Sequence, residues 1–175
     1  MSEGPALESF AALLRALAPG ERLAALEAVE GLEALLRGHY AAGRERWPAV
    51  ALTPERFVRH LARHLPEGPL AVWGQLQGAD LYLACACAEG ERTALRAFDQ
   101  HVLRRVPSRL GSLPEATVDE VLQVLRQRLL LGRGETPPRI ADYSGRGPLL
   151  AWVRIIAGRI VGELASHEGR QQLFP

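Results

Sequence analysis

Trp152, Arg159 and Ser166 stand seven residues apart near the end of the chain, so a helix would carry them on one face. A ring and a guanidinium two turns apart make a surface on which an unstacked base can lie, which is recognition chemistry without bond making. The other reading of Trp152 is that it finishes the edge of the core, since helical aromatics are mainly packing residues. Asp119, Glu120, Gln123, Arg126 and Gln127 form a second polar set, rich in acid and amide, of the kind that pairs with arginines of a partner. Asp119 and Glu120 also suit the positive end of a helix, so capping is the alternative role for them. His60 and His64, four apart, are the spacing of half a zinc site, but Leu61 replaces the glutamate of His-Glu-x-x-His and no third ligand accompanies them. They read as solvated helix histidines. Gly132-Arg-Gly134 and Gly145-Arg-Gly147 are too short for phosphate loops, and Ser144 with Asp142 is not a triad. The expectation is a binding protein and not an enzyme, with no metal and no cofactor.

These side chains need helices to hold them. Apolar spacing predicts a helix over 6–18, closed by Pro19-Gly20, and a second from Glu21 to about Gly43 with Leu23, Leu26, Leu32, Leu35 and Leu36 inward. Thr53 caps a third, with Pro54 at its first position, ending near 66–69. A helix through Leu81–Ala88 breaks at Glu89-Gly90, and another runs from Glu91 to about Val106. Thr117-Val-Asp-Glu120 has the pattern of a capping box that launches a helix to about Leu131. Val118, Val121, Leu122, Leu125 and Leu129 are its buried stripe, which leaves the acid-and-amide set outside. After a loop over 132–147, Gly147 serves as cap and Pro148 as first residue of a last helix to about Ser166. Leu149, Val153, Ile156, Ile160 and Leu164 form its apolar face.

Composition agrees with an all-α chain: almost half of the 175 residues are apolar, led by Leu and Ala, with few aromatics. That length fits one domain or two small helical units, divided here into an N-terminal helical extension over 1–68 and a second unit over 69–175. The chain has no lysine, which excludes a Walker A loop and Schiff-base catalysis. Arginine alone suits phosphate and stacking contacts, although codon usage in a GC-rich genome also accounts for it. Residues 1–88 carry eight Arg against ten acids and residues 89–175 thirteen against ten, so the second half stands at +3. That is too small an excess for a self-sufficient DNA binder, and a larger partner must supply much of the phosphate affinity. Cys85 and Cys87, the only two cysteines, diverge by about 200° on a helix and read as small buried apolar residues. No basic leader and no apolar run of about 20 residues is present, so no membrane contact and a cytoplasmic location are expected.

Over residues 79–167 the chain resembles conserved region two of bacterial RNA polymerase sigma factors, in particular the extracytoplasmic-function type and its myxobacterial variants. The resemblance rests on Ala79-Asp-Leu-Tyr-Leu-Ala-Cys-Ala-Cys-Ala-Glu-Gly90 with Ala94, Leu95 and Phe98, on Val118-Asp-Glu-Val-Leu-Gln-Val-Leu-Arg-Gln-Arg128, and on Tyr143-Ser-Gly-Arg-Gly-Pro-Leu-Leu-Ala-Trp-Val-Arg-Ile-Ile-Ala157. It implies a helical bundle in which Asp119, Glu120, Gln123, Arg126 and Gln127 grip core RNA polymerase. It also implies that Arg146, Trp152, Arg154, Arg159, Ser166 and His167 meet the non-template strand of the promoter minus-ten element. An anti-sigma factor is a further implied partner.

The chain departs from that pattern. Val124 stands where the family has Glu, Arg126 where an apolar residue is frequent, and Arg159 and Glu163 where Asn and Asp are common. Ser166-His167-Glu168-Gly169 replaces a basic end, which puts DNA contact in more question than polymerase contact. Members of the family continue into a helix-turn-helix domain, whereas eight residues follow His167 here, so the sequence leaves open a piece of a longer protein or a region-two-only protein. The alternative function is a sigma-like regulator or decoy that occupies polymerase, or another protein partner, without reading DNA.

Overall fold

In the computed structural model, residues 6–173 are described, with side chains except those of 109 and 168–173. Nine α-helices pack together and, among the described residues, no strand forms beyond one isolated bridge pair between Arg133 and Thr136. The all-α expectation therefore holds. Helix α6 (Gly78–Ala88) organises the bundle because it is apolar on every side: all seven residues from Leu81 to Cys87 are buried. A helix with no polar face must lie inside. Packed against it are α3 (Leu32–Arg46), α4 (Pro54–Ala62), α7 (Arg92–His101), α9 (Leu149–Leu173) and a short 3-10 turn over Arg139–Asp142. Helices α1 (Phe10–Leu17) and α5 (Leu70–Gly74) flank α3, α2 (Gly20–Glu27) packs on α1, and α8 (Glu115–Leu130) lies along α9. One continuous apolar core draws on both the segment before Gly68 and the segment after it. No described helix is long and apolar enough to cross a membrane.

Local signals explain some of the boundaries. Ser9 accepts the Ala12 N–H and Thr53 the Arg56 N–H, each satisfying an orphan donor of its helix, with Pro54 at the first position of α4. Four expectations are corrected. The helix foreseen from Glu21 to Gly43 is two helices, because the chain turns at Gly31 with φ of 76°, a left-handed conformation that glycine adopts without steric cost. The helix foreseen to Val106 stops at His101 and continues as 3-10 turns over Leu103–Arg105 and Pro107–Arg109, with Val102, Leu103 and Val106 still buried. The Thr117–Glu120 capping box does not form, since α8 starts earlier, behind Pro114, whose carbonyl already takes the N–H groups of Thr117 and Val118. Helix α9 begins one residue late: the Pro148 carbonyl accepts the Trp152 N–H, so Pro148 occupies the cap place meant for Gly147. Beyond Ser166 it runs on to Leu173.

The closest helix crossing fixes α3 against α6. A Cβ placed on Gly43 would lie 2.3 Å from Tyr82 Cβ, an atom tied directly to the α6 backbone that cannot swing aside. Gly43→Ala is expected to lower stability by about 2 kcal/mol through overpacking, read as a drop in thermal midpoint. An unchanged midpoint would mean that the two helices separate at little cost.

Candidate functional site

The outward arc of α8 is built by its inward one. Val121, Leu125 and Leu129 are fully buried, Leu122 packs at their margin and Val118 is half-buried, so the helix cannot rotate without exposing apolar surface. That register leaves Asp119, Glu120, Gln123 and Gln127 exposed, and none of the four has a hydrogen-bond or ion-pair partner among the described residues. Arg126 is the exception to the expected outward set. Its Nε and Nη2 both reach Asp99 Oδ1 on α7, at 2.9 and 2.8 Å, so its charge is spent holding α8 to α7. Val124 is half-buried and packs on the core, which accounts for an apolar residue at that place.

Helix α9 has the register expected of it. Leu149, Val153, Ile156 and Ile160 are buried and Leu164 is at the margin. Trp152 lies on the flank of that stripe, half-buried, with its ring 5.6 Å from the Tyr143 ring. Trp152 thus packs at the edge of the core without being fully covered. Arg159 and Ser166 follow on the same flank, both exposed, and His167 beyond them is exposed as well. Arg146 is exposed on the loop before the helix. Glu163 accepts from Arg128 at 3.2 and 2.7 Å, a two-pronged bridge that fixes the angle between α8 and α9 and holds the Glu163 carboxyl below its ordinary range. Arg154 is separated from Trp152 by two residues, hence by about 200° around the helix, and lies on the opposite flank. The six residues expected to meet DNA are therefore distributed over two flanks and a loop.

The loop over 139–148 is held from four sides. His60 Nε2 lies 2.8 Å from the Tyr143 carbonyl and His64 Nε2 2.7 Å from the Ala141 carbonyl. Carbonyls only accept, so each Nε2 carries the proton and donates it. The expectation of solvated histidines is wrong for His60, which is 5% exposed, and His64 is committed to the same loop. No group of three metal-ligating side chains gathers among the described residues. Gln77 N–H donates to the Gly145 carbonyl at 2.8 Å, and Tyr143 Oη donates to the Gly147 carbonyl. Burial pushes the Tyr143 phenol far above its ordinary range, which keeps it a donor. Asp80 Oδ2 accepts the Leu149 N–H at 2.9 Å and so caps α9 from α6. Gly145, at φ of 80°, passes so near Leu81 that a Cβ would lie 2.5 Å from its Cδ1. The loop and the first turn of α9 are preorganised by α4 and α6.

Cys85 and Cys87 are buried, unpaired thiols, as expected, and burial raises both, Cys85 to about 12. Comparison with family models, curated proteins and solved structures finds no match to this chain.

Proposed function

We propose that this chain is a transcription-initiation protein of the sigma type, in which the outward arc of α8 docks on core RNA polymerase and the Trp152–Arg159 flank of α9 holds unpaired non-template promoter DNA. The supporting observation is the arc itself: four neighbouring acid and amide side chains on a rigidly packed helix, all without partners among the described residues. Such groups gain nothing for folding and stand ready for the arginines of a partner. Arg159, exposed and unpaired among the described residues, follows a half-exposed indole on the same flank and supplies charge and a stacking surface. The weak basic excess of the second half fits a protein that reads DNA only when polymerase carries the phosphate affinity. An anti-sigma factor is a further partner of this reading, and no described helix is long and apolar enough to cross a membrane.

The test is binding of the full chain to core polymerase, followed by binding of that complex to a labelled non-template strand. Glu120→Ala with Gln123→Ala should weaken the first step, and undiminished affinity would reject the face. Trp152→Ala should leave the first step intact and weaken the second by about 1–3 kcal/mol, the worth of one stacked base, with partial recovery in Trp152→Phe. The half-burial of Trp152 against Tyr143 favours a second reading, a sigma-like regulator that occupies polymerase without reading DNA. An undisturbed second step in Trp152→Ala would select it.

A further inference from the structure

A cleft of about 720 Å³ lies between the C-terminal half of α3, the connector over 47–53, the start of α4 and the junction of α6 with α7. No described residue of α8 or α9 lines it, so it stands apart from both faces proposed above. Two tyrosines from different helices hold the connector in place: Tyr40 Oη donates to the Leu52 carbonyl at 2.5 Å and Tyr82 Oη to the Val50 carbonyl at 2.8 Å. The cleft is therefore built before any ligand arrives, and its volume falls in the range of small-molecule sites, about 300–1,000 Å³.

The charges that line it are matched, with one exception. Arg56 pairs with Glu89, and Glu91 accepts the N–H groups of Thr93 and Ala94 at 2.9 Å each, so its charge is set against the positive end of α7. Arg44 is exposed and has neither ion pair nor hydrogen bond among the described residues. Burial raises the Tyr40 and Tyr82 phenols and the Arg44 charge works against it, which places that guanidinium near both rings. Thr53 Oγ1 accepts the Arg56 N–H at 3.3 Å, and its own proton has no acceptor among the described residues, so a second donor lines the cleft. The half-buried Tyr40 ring, with Pro48, Ala51 and Pro54, supplies apolar wall. A guanidinium without a partner beside an aromatic wall fits an anion that carries a flat apolar body. One negative charge suits the place and two do not, because Glu89 and Glu91 line the same cleft and oppose the second charge of a phosphate.

We propose that this cleft binds a small aromatic carboxylate, with the carboxylate on Arg44 and the ring against Tyr40. The assignment depends on neither nucleic acid nor polymerase.

Saturation-transfer NMR and thermal unfolding of the full chain with phenylacetate as probe test it. Phenylacetate should bind with a dissociation constant in the low millimolar range or tighter, the strength open to so small a body, and should raise the thermal midpoint as its concentration rises. Phenethyl alcohol, a similar body without the charge, should bind about tenfold more weakly, and Arg44→Ala should weaken phenylacetate binding by about tenfold or more. Arg44→Lys should lose less, since the charge remains without the planar fork. The midpoint of Arg44→Ala without ligand should stay close to that of the unaltered chain, which separates a lost site from a lost fold. Arg59→Ala, exposed on α4 outside the cleft, should bind as the unaltered chain does. Absence of phenylacetate binding, or binding that Arg44→Ala leaves undiminished, overturns the site. Displacement of phenylacetate by inorganic phosphate at matched ionic strength would overturn the aromatic-carboxylate class. Glycyl-glycyl-phenylalanine should bind no better than phenylacetate; tighter binding would assign the cleft to a peptide terminus and overturn the small-molecule assignment.

Discussion

Acidification from pH 6.5 to 4 is expected to cost the folded chain up to about 3 kcal/mol through His60 alone, at about 1.4 kcal/mol for each pH unit. Burial is the main cause, and it lowers the ring to about 4 from an ordinary 6.5. The hydrogen bond to Tyr143 and the Asp142 carboxylate work against it, while His64 and Arg63 add to it. The folded ring stays neutral over a range in which the unfolded ring takes a proton, so protons favour unfolding. Stability from this residue is complete above 6.5 and declines as pH falls towards 4. Glu33 acts lower down: burial raises its carboxyl, but the N–H groups of Ala11 and Phe10 with Arg37 and Ser9 outweigh that and leave it below 4.5, so its contribution fades only in stronger acid. Denaturant unfolding at several pH values measures the slope. His60→Gln keeps an N–H for the Tyr143 carbonyl and cannot titrate, so its stability should be flatter over the same window. Equal slopes in the two proteins would mean that His60 does not govern acid sensitivity.

His60 also shows where the sequence was legible and where it was not. Periodicity reads apolar stripes well, and the registers of α8 and α9 follow from Val121, Leu125 and Leu129 and from Leu149, Val153, Ile156 and Ile160. His60 stands on the same α4 stripe as Phe57 and Leu61, and His64, in the turn just past the helix, continues the i, i+3, i+4, i+7 spacing, which was the available signal that they turn inward. Their partners could not be foreseen, because these are backbone carbonyls 83 and 77 residues away, and any residue has a carbonyl. The same holds for Asp80, which caps a helix 69 residues downstream, and for Arg126, whose partner Asp99 lies on another helix. Gly31 and Gly38 illustrate a different limit. Each weakens a helix equally on paper, yet the chain turns at the first and stays helical through the second, which has open space around it. Resemblance grouped Arg154 with Trp152, although their spacing of two residues already sets them about 200° apart on a helix, and it could not foresee that Arg126 is drawn to Asp99.

Reversing charge on the α8 arc should give the largest functional effect. Asp119→Arg with Glu120→Arg changes the arc from anionic to cationic, and if arginines of core polymerase meet it, attraction becomes like-charge opposition worth several kcal/mol, a loss of about a hundredfold or more in affinity. Folding should hardly notice. Both side chains are exposed and unpartnered among the described residues, and they lie past the first turn of α8, whose acid is Glu115, so the helix dipole hardly senses their loss. Equilibrium binding to labelled core polymerase and thermal unfolding, measured on the same preparation, separate the two consequences. Salt gives a further check, since an electrostatic contact at an interface rim weakens as ionic strength rises, and the unaltered chain should bind less tightly at high salt while the reversed variant changes little or gains. Gln123 and Gln127 carry no charge, so their alanine variants should weaken binding without changing that salt dependence. Should the doubly reversed chain bind core polymerase as tightly as the original, the arc is ordinary solvated surface and the sigma-type reading loses its main support.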